Sequence, residues 1–159
     1  MPIEFSPETR KKIEEIAGRY PKREAAMLPV LYLAQEEFGY IGPEAIECVA
    51  GVLELPPARV YNVVTFYTMF NRKPIGRYHI QVCRTLSCAL LGAGKITDVL
   101  KSRLGVGLGK TTADKRFTLS EVECLASCGT APMMQINDDY YENLTEEKVE
   151  EILARLKQA

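Results

Sequence analysis

The hydrophobic period of this chain changes once, at Asn71-Arg72-Lys73-Pro74-Ile75-Gly76, and that change constrains the fold more than any other feature. Before it, no segment alternates as a strand must. After it, alternating and helical segments interleave. A helical bundle over residues 1–75 followed by an α/β layer over residues 76–159 is therefore expected. The chain's 159 residues suffice to bury a core without covalent staples.

The first half carries repeated helix punctuation. Ser6 is placed as an N-cap with Pro7 at the first helical position, and a polar helix runs to about Gly18 with Ile13 and Ile16 on one face. Arg23 to Phe38 reads as a second helix, closed by Gly39 and kinked at Pro29. Pro43 opens a third helix through Ile46, Val49 and Val52. Pro56-Pro57 ends it and starts a fourth, whose Val60, Val63, Val64 and Tyr67 form an i, i+3, i+4, i+7 stripe. In the second half, Tyr78 to Val82 and Phe117 to Val122 read as strands with a helix from Leu90 to Leu104 between them. Pro132 to Ile136 and Tyr140-Tyr141 read as two short strands joined by Asn137-Asp138-Asp139. Thr145 caps a last helix through Val149, Ile152, Leu153 and Leu156. The order β-α-β-β-β-α describes a small α/β layer resembling a thioredoxin fold.

With 20 basic and 21 acidic residues the chain has no field that would draw it to nucleic acid. Met1-Pro2-Ile3-Glu4-Phe5 lacks a basic start followed by an apolar stretch, so no secretory leader is expected. The longest run without a charged side chain, Cys124 to Asn137, is 14 residues, too short for a bilayer span. A cytoplasmic setting without direct membrane insertion follows, and there five cysteines are not a disulfide framework. One histidine is too few for three-histidine zinc, two-histidine iron, Cys2His2 fingers or a Rieske centre. What remains is cysteine chemistry.

Four cysteines form two pairs, each directly after a predicted strand: Cys83 and Cys88 spaced C-x4-C, Cys124 and Cys128 spaced C-x3-C. Paired strands would bring both loops to one sheet edge, where four thiolates hold a soft metal. Three outcomes compete. Structural zinc favours tighter C-x2-C knuckles. Inert buried thiols or disulfides are disfavoured by compartment and odd count. A [2Fe–2S] cluster needs two thiolates on each of two irons, which suits two separate pairs, Cys83 with Cys88 and Cys124 with Cys128. Thr85, Ser87 and Ser127 offer hydroxyl donors to sulfur, Gly129 permits close backbone approach, and Leu86, Leu90, Leu125 and Met133 are placed to shield the site. By analogy with plant-type clusters, a potential near about −400 mV is expected.

Several segments carry a resemblance: Tyr32 to Ile41 (YLAQEEFGYI), Val64 to Phe70 (VTFYTMF), His79 to Cys83, Glu123-Cys124-Leu125 and Ala131 to Tyr141 (APMMQINDDYY), with 35 residues between the two cysteine pairs. Over nearly its whole length the chain resembles the 24 kDa-type, thioredoxin-like [2Fe–2S] subunit of respiratory complex I, the E subunit of bacterial NADH:quinone oxidoreductase. The resemblance implies an N-terminal helical bundle followed by a thioredoxin-like [2Fe–2S] ferredoxin domain. It implies one cluster on Cys83, Cys88, Cys124 and Cys128, with low potential. It also implies a flavin-bearing, NADH-oxidising partner that holds FMN and NADH, other peripheral-arm subunits, and attachment to the cytoplasmic membrane only through the complex. The protein would transfer electrons without being catalytic on its own. Related assemblies, an NAD-reducing hydrogenase or an NAD-linked formate dehydrogenase, share the motif, and a zinc-stabilised interaction domain is the alternative of another class. Ala126-Ser127 departs from the family pattern, Gly-Ala.

Other features are read as structural. Cys48 lies within a predicted helix as a small hydrophobe. Strand alternation puts His79 on the side of Cys83, yet four thiolates already complete a cluster. Leu104-Gly105-Val106-Gly107-Leu108-Gly109-Lys110-Thr111 is one residue short of a phosphate-binding loop and follows a helix rather than a strand, so it reads as a helix end entering a loop. Tyr61, Phe66, Tyr67, Met69 and Phe70 supply core on one side of the fourth helix and an apolar surface on the other.

Overall fold

The computed structural model describes residues 3–158 of the chain. Met1 and Pro2, part of the stretch read above for a leader, lie outside the described residues. The chain divides into two compact units, residues 1–74 and 75–159.

The first unit is helical. In α1 (Pro7–Ala17) the Ser6 hydroxyl accepts from the Thr9 amide at 3.2 Å, the expected cap. Arg23 to Phe38 is not one kinked helix. A 3-10 turn over Arg23–Ala26 leads into α2 (Met27–Phe38), so Pro29 sits in the first turn, where its missing N–H removes no intrahelical bond. α3 (Pro43–Leu53) and α4 (Pro57–Phe66) each carry proline at the start. α4 stops one residue before Tyr67, whose backbone is extended. Val30, Leu31, Val49, Leu53 and Val60 are buried at the centre of this unit. Gln35 pins the segment after α4: its amide donates to the Met69 carbonyl at 3.0 Å and accepts from the Asn71 N–H at 2.6 Å. Of the aromatic stretch, Phe70 is buried and Tyr67 half-buried, whereas Tyr61 and Phe66 face outward.

The second unit is a five-stranded sheet backed by helices. Its elements are β1 (Tyr78–Cys83), α5 (Leu86–Leu90), α6 (Ala93–Leu104), β2 (Lys110–Thr111), β3 (Phe117–Val122), β4 (Met134–Ile136), β5 (Asp139–Tyr141) and α7 (Glu146–Gln158). The strand order is β2-β3-β1-β4-β5; β1 and β3 are parallel, and the other neighbours are antiparallel. The expected single helix from Leu90 is split at Gly92, whose φ of 97° no side-chain-bearing residue adopts comfortably, and two-residue β2 is an addition. Between α6 and β2, the glycine-rich segment starts at Gly105, the left-handed C-cap of α6. Asn137, at φ 54°, turns β4 into β5, and the Thr145 hydroxyl caps α7 by accepting from the Lys148 amide at 3.2 Å.

Alternation decides the faces of the sheet. Tyr78, Ile80, Val82, Phe117, Leu119, Met134 and Ile136 share one buried face, packed with Ile96 and Leu100 of α6 and Val149 and Leu153 of α7. His79 and Gln81 lie on the other, partly exposed face. Parallel pairing matches Tyr78 to Phe117 and Cys83 to Val122, so β1 and β3 end side by side. Loops leaving those two ends emerge together, the edge where parallel sheets build their sites.

Gly76 sets the entry to β1. Its N–H donates to the buried Thr118 hydroxyl at 2.6 Å, and a Cβ there would lie 2.8 Å from backbone atoms of Arg116 and Phe117. Those atoms belong to a hydrogen-bonded ladder (Tyr78 N to Arg116 O, 2.7 Å) and have nowhere to move. Gly76→Ala is expected to cost about 1–3 kcal/mol through this overlap. Urea unfolding checks it, and a variant with the parent's midpoint would refute the packing described.

Candidate cluster site

Cys83 is the last residue of β1, and Cys88 lies in α5, five residues on. Both are buried, each 2% exposed. Cys124 lies in the loop after β3 and Cys128 opens a 3-10 turn over Cys128–Thr130; both are exposed. The three strands explain the meeting. β1 and β3 end together, and antiparallel β4 starts at the same edge, where the Cys83 N–H donates to the Met133 carbonyl at 3.2 Å. Arg84 and Glu123, each beside a cysteine, form an ion pair (2.5 and 3.0 Å) that ties the two loops. It is exposed, so its value is geometric rather than energetic.

The structure brings the four expected cysteines together as two pairs. Cys124 Sγ and Cys128 Sγ are 3.5 Å apart, close to the roughly 3.8 Å that separates two thiolates held at about 2.3 Å by one tetrahedral metal. Cys83 and Cys88 share a hydrogen bond, and Cys83 also interacts electrostatically with both Cys124 and Cys128. Among the described residues no three Cys, His, Asp or Glu side chains gather as the shell of a single ion; the grouping is in twos.

Each pair contains one thiol that ionises readily and one that resists. Burial pushes Cys83 up, but the Thr85 hydroxyl, the backbone N–H groups of Leu125 and Thr85 and the Cys88 thiol together hold it below the ordinary thiol range. Cys88 is raised, by burial first and then by the proton it shares with Cys83. Cys124 is lowered, first by the Ala126 N–H (3.3 Å to Sγ), then by Cys128 and Thr85. Cys128 is raised by donating to Cys124. Each pair thus sets a more acidic thiol beside a less acidic one, and a metal bound by all four sulfurs would displace their protons.

The hydroxyls divide differently from expectation. Thr85 Oγ1 lies 3.3 Å from Cys83 Sγ and also serves Cys124, so one hydroxyl spans both pairs. Ser87 reaches Cys128. Ser127 instead donates to the carboxylate of Glu142, a residue beyond β5. Gly129 makes no close approach, since a Cβ there would meet open space. Leu86 and Leu90 point outward, 73% and 77% exposed, so they do not shield the sulfurs; Met133 is fully buried and Leu125 packs against the sheet core. His79 is engaged elsewhere: its Nε2 lies 2.9 Å from Ser120 Oγ, and burial holds its pKa below the ordinary value. Cys48 is half-buried in α3 of the first unit, its thiol raised by burial.

Sequence reasoning missed the amide donors of Leu125, Ala126 and Met133, which aim at sulfur only because the loops fold over the sheet edge. It also missed the Arg84–Glu123 tie, for which opposite charges directly beside two cysteines were a usable signal.

Known proteins resemble the chain over most of its length. The family model for thioredoxin-like [2Fe-2S] ferredoxins matches residues 13–157. The E subunit of NADH-quinone oxidoreductase from Rickettsia felis is 51% identical over 143 residues, covering 88% of this chain and 86% of the relative. The mitochondrial NADH dehydrogenase [ubiquinone] flavoprotein 2 of Dictyostelium discoideum is 46% identical over 159 residues, 98% of this chain and 64% of the relative. An NAD+-reducing [NiFe]-hydrogenase structure superposes on 84% of this chain and 23% of its own with a TM-score of 0.74 at 20% identity, a likeness of fold alone.

Ala126 sits at φ 62°, in the left-handed region. The Cβ there costs about 1–2 kcal/mol, against which glycine's extra chain entropy weighs about 0.5–1 kcal/mol. Ala126→Gly is therefore expected to stabilise the cluster-free chain by up to about 1 kcal/mol. Denaturant midpoints measure it, and a loss of stability would contradict the strain assigned to Ala126.

Proposed function

Since the chain belongs to the thioredoxin-like [2Fe-2S] ferredoxin family, we propose that it is the electron-transfer subunit of an NADH-quinone oxidoreductase, holding one [2Fe-2S] cluster on Cys83, Cys88, Cys124 and Cys128. The observation that carries the ligand set is the meeting of two cysteine pairs at the shared end of β1 and β3, with hydroxyl and amide donors aimed at the sulfurs. The pairs divide between the irons as Cys83 with Cys88 and Cys124 with Cys128. The family supports this reading over a zinc-stabilised interaction module, and the roughly 50% identity to the E subunits of NADH-quinone oxidoreductases supports it over a hydrogenase component.

Bound there, the cluster supplies a one-electron centre. The chain's own residues do the rest. Cys83 and Cys88, fixed in the core, anchor one side of the site. Thr85, spanning both pairs, and the amides of Leu125, Ala126 and Met133 stabilise negative charge on sulfur. Cys124 and Cys128 remain at the surface, where a partner can approach closely enough for electron exchange. The partner is a flavin-bearing, NADH-oxidising protein that holds FMN and NADH, accompanied by other subunits of the peripheral arm. Among the described residues no helix is long and apolar enough to cross a membrane, and attachment to the cytoplasmic membrane runs through that complex.

The purified full chain is expected to contain equal iron and acid-labile sulfide and to give a [2Fe-2S] EPR signal after dithionite reduction. Serine at Cys83, Cys88, Cys124 or Cys128 should abolish or shift that signal, whereas Cys48→Ser should leave it unchanged. Colourless protein carrying zinc, or loss of the signal in Cys48→Ser, would overturn the assignment.

A further inference from the structure

The loop of the exposed pair is held from one side by the strand and segment that follow it. Tyr140 of β5 donates its hydroxyl to the Leu125 carbonyl at 2.8 Å, and the Asn143 N–H donates to the Thr130 carbonyl at 2.7 Å. Between them, Glu142 Oε1 accepts from both Ser127, immediately before Cys128, and Thr130, two residues after it (2.7 Å for Thr130). The two hydroxyls also lie within hydrogen-bond distance of each other, 2.7 Å, and Thr130 Oγ1 is 3.1 Å from the Ser127 carbonyl, so the group forms one network. We propose that Glu142 is a positioning residue for the Cys124–Cys128 pair, fixing the loop through Ser127 and Thr130 and placing a negative charge beside the exposed half of the cluster that lowers its reduction potential. The inference rests on the reading that these two cysteines ligate the cluster.

Two physical steps support it. An ionised carboxylate is acceptor-only, so a hydroxyl can bond it only by donating, and such charge-assisted bonds are stronger than neutral ones. Those two hydroxyls hold the Glu142 carboxyl below its usual range, so it is charged at neutral pH. Secondly, an electron added to a cluster is opposed by a nearby fixed negative charge. Lys148, whose Nζ donates to the Glu142 main-chain carbonyl at 2.6 Å, offsets that charge in part and stands on the side of α7.

Glu142→Gln separates the two roles, because the amide oxygen still accepts while the charge is gone. In the full chain carrying its cluster, an EPR-monitored redox titration is expected to give an upward shift of midpoint potential for Glu142→Gln, with the parent line shape retained. Ser127→Ala combined with Thr130→Val keeps the carboxylate and removes the clamp. That variant should lose its cluster to a chelator severalfold faster than the parent, and adding Glu142→Gln to it should accelerate the loss little further. Glu142→Gln with the parent's potential, or a Ser127/Thr130 double variant that releases its cluster at the parent's rate, would overturn the inference. A parent chain that binds no cluster would instead defeat the ligand assignment itself, so the two failures are distinguishable.

Discussion

The parallel pairing of β1 with β3 is the constraint on which the site depends. Its register matches Ile80 to Leu119 and Cys83 to Val122. Because side chains alternate across a strand, slipping that register by one residue would turn Ile80 or Leu119 out of the core and carry their polar neighbours in. Both are fully buried against α6 and α7, so packing forbids the slip. The same register aligns the ends of the two strands, and hence the origins of the two cysteine loops. The free energy that holds the sheet together therefore also sets where the sulfurs meet. A cofactor can then enter a site whose walls the fold has already placed.

Burial divides that site into unequal halves. Cys83 continues the strand and Cys88 lies in a short helix packed on the core, so these two sulfurs move only if the sheet moves. Cys124 and Cys128 lie on a surface loop ordered by hydrogen bonds and by the packing of Leu125 against the sheet core. The inner pair is tied to the core. The outer pair is open to the surface. Both properties follow from one topological fact: the first pair belongs to the end of the central strand and the helix that follows it, the second to the loop beyond its neighbour.

The elements legible in the sequence were those specified locally. Ser6, Pro43, Pro57, Gly39 and Thr145 act through their own backbone or immediate neighbours, and their helices begin or end where those residues stand. The alternation of Tyr78 to Val82 and Phe117 to Val122 likewise reports a face of the sheet without knowledge of the partner strand. What was not legible depends on partners distant in the chain. Pro29 reads as a kink until the start of α2 is known to lie two residues earlier. Leu86 and Leu90 read as a shield because they flank Cys88, yet a five-residue helix can turn only one side inward, and Cys88 takes it. Ser127 reads as a donor to the sulfur beside it, and only the fold brings a carboxylate from fifteen residues downstream to claim its proton.

Ala126 and Ser127 act in opposite senses within one loop. Ala126 adopts a left-handed backbone that its Cβ opposes. Relaxing that backbone would rotate the Ala126 N–H away from Cys124, to which it now donates at 3.3 Å, so the strained conformation is also the one that directs a donor at the sulfur. The next residue, Ser127, supplies a hydroxyl bond to Glu142. A hydrogen bond to a charged acceptor is stronger than one between neutral groups. Ser127 therefore supplies from its side chain an order that the backbone at Ala126 opposes.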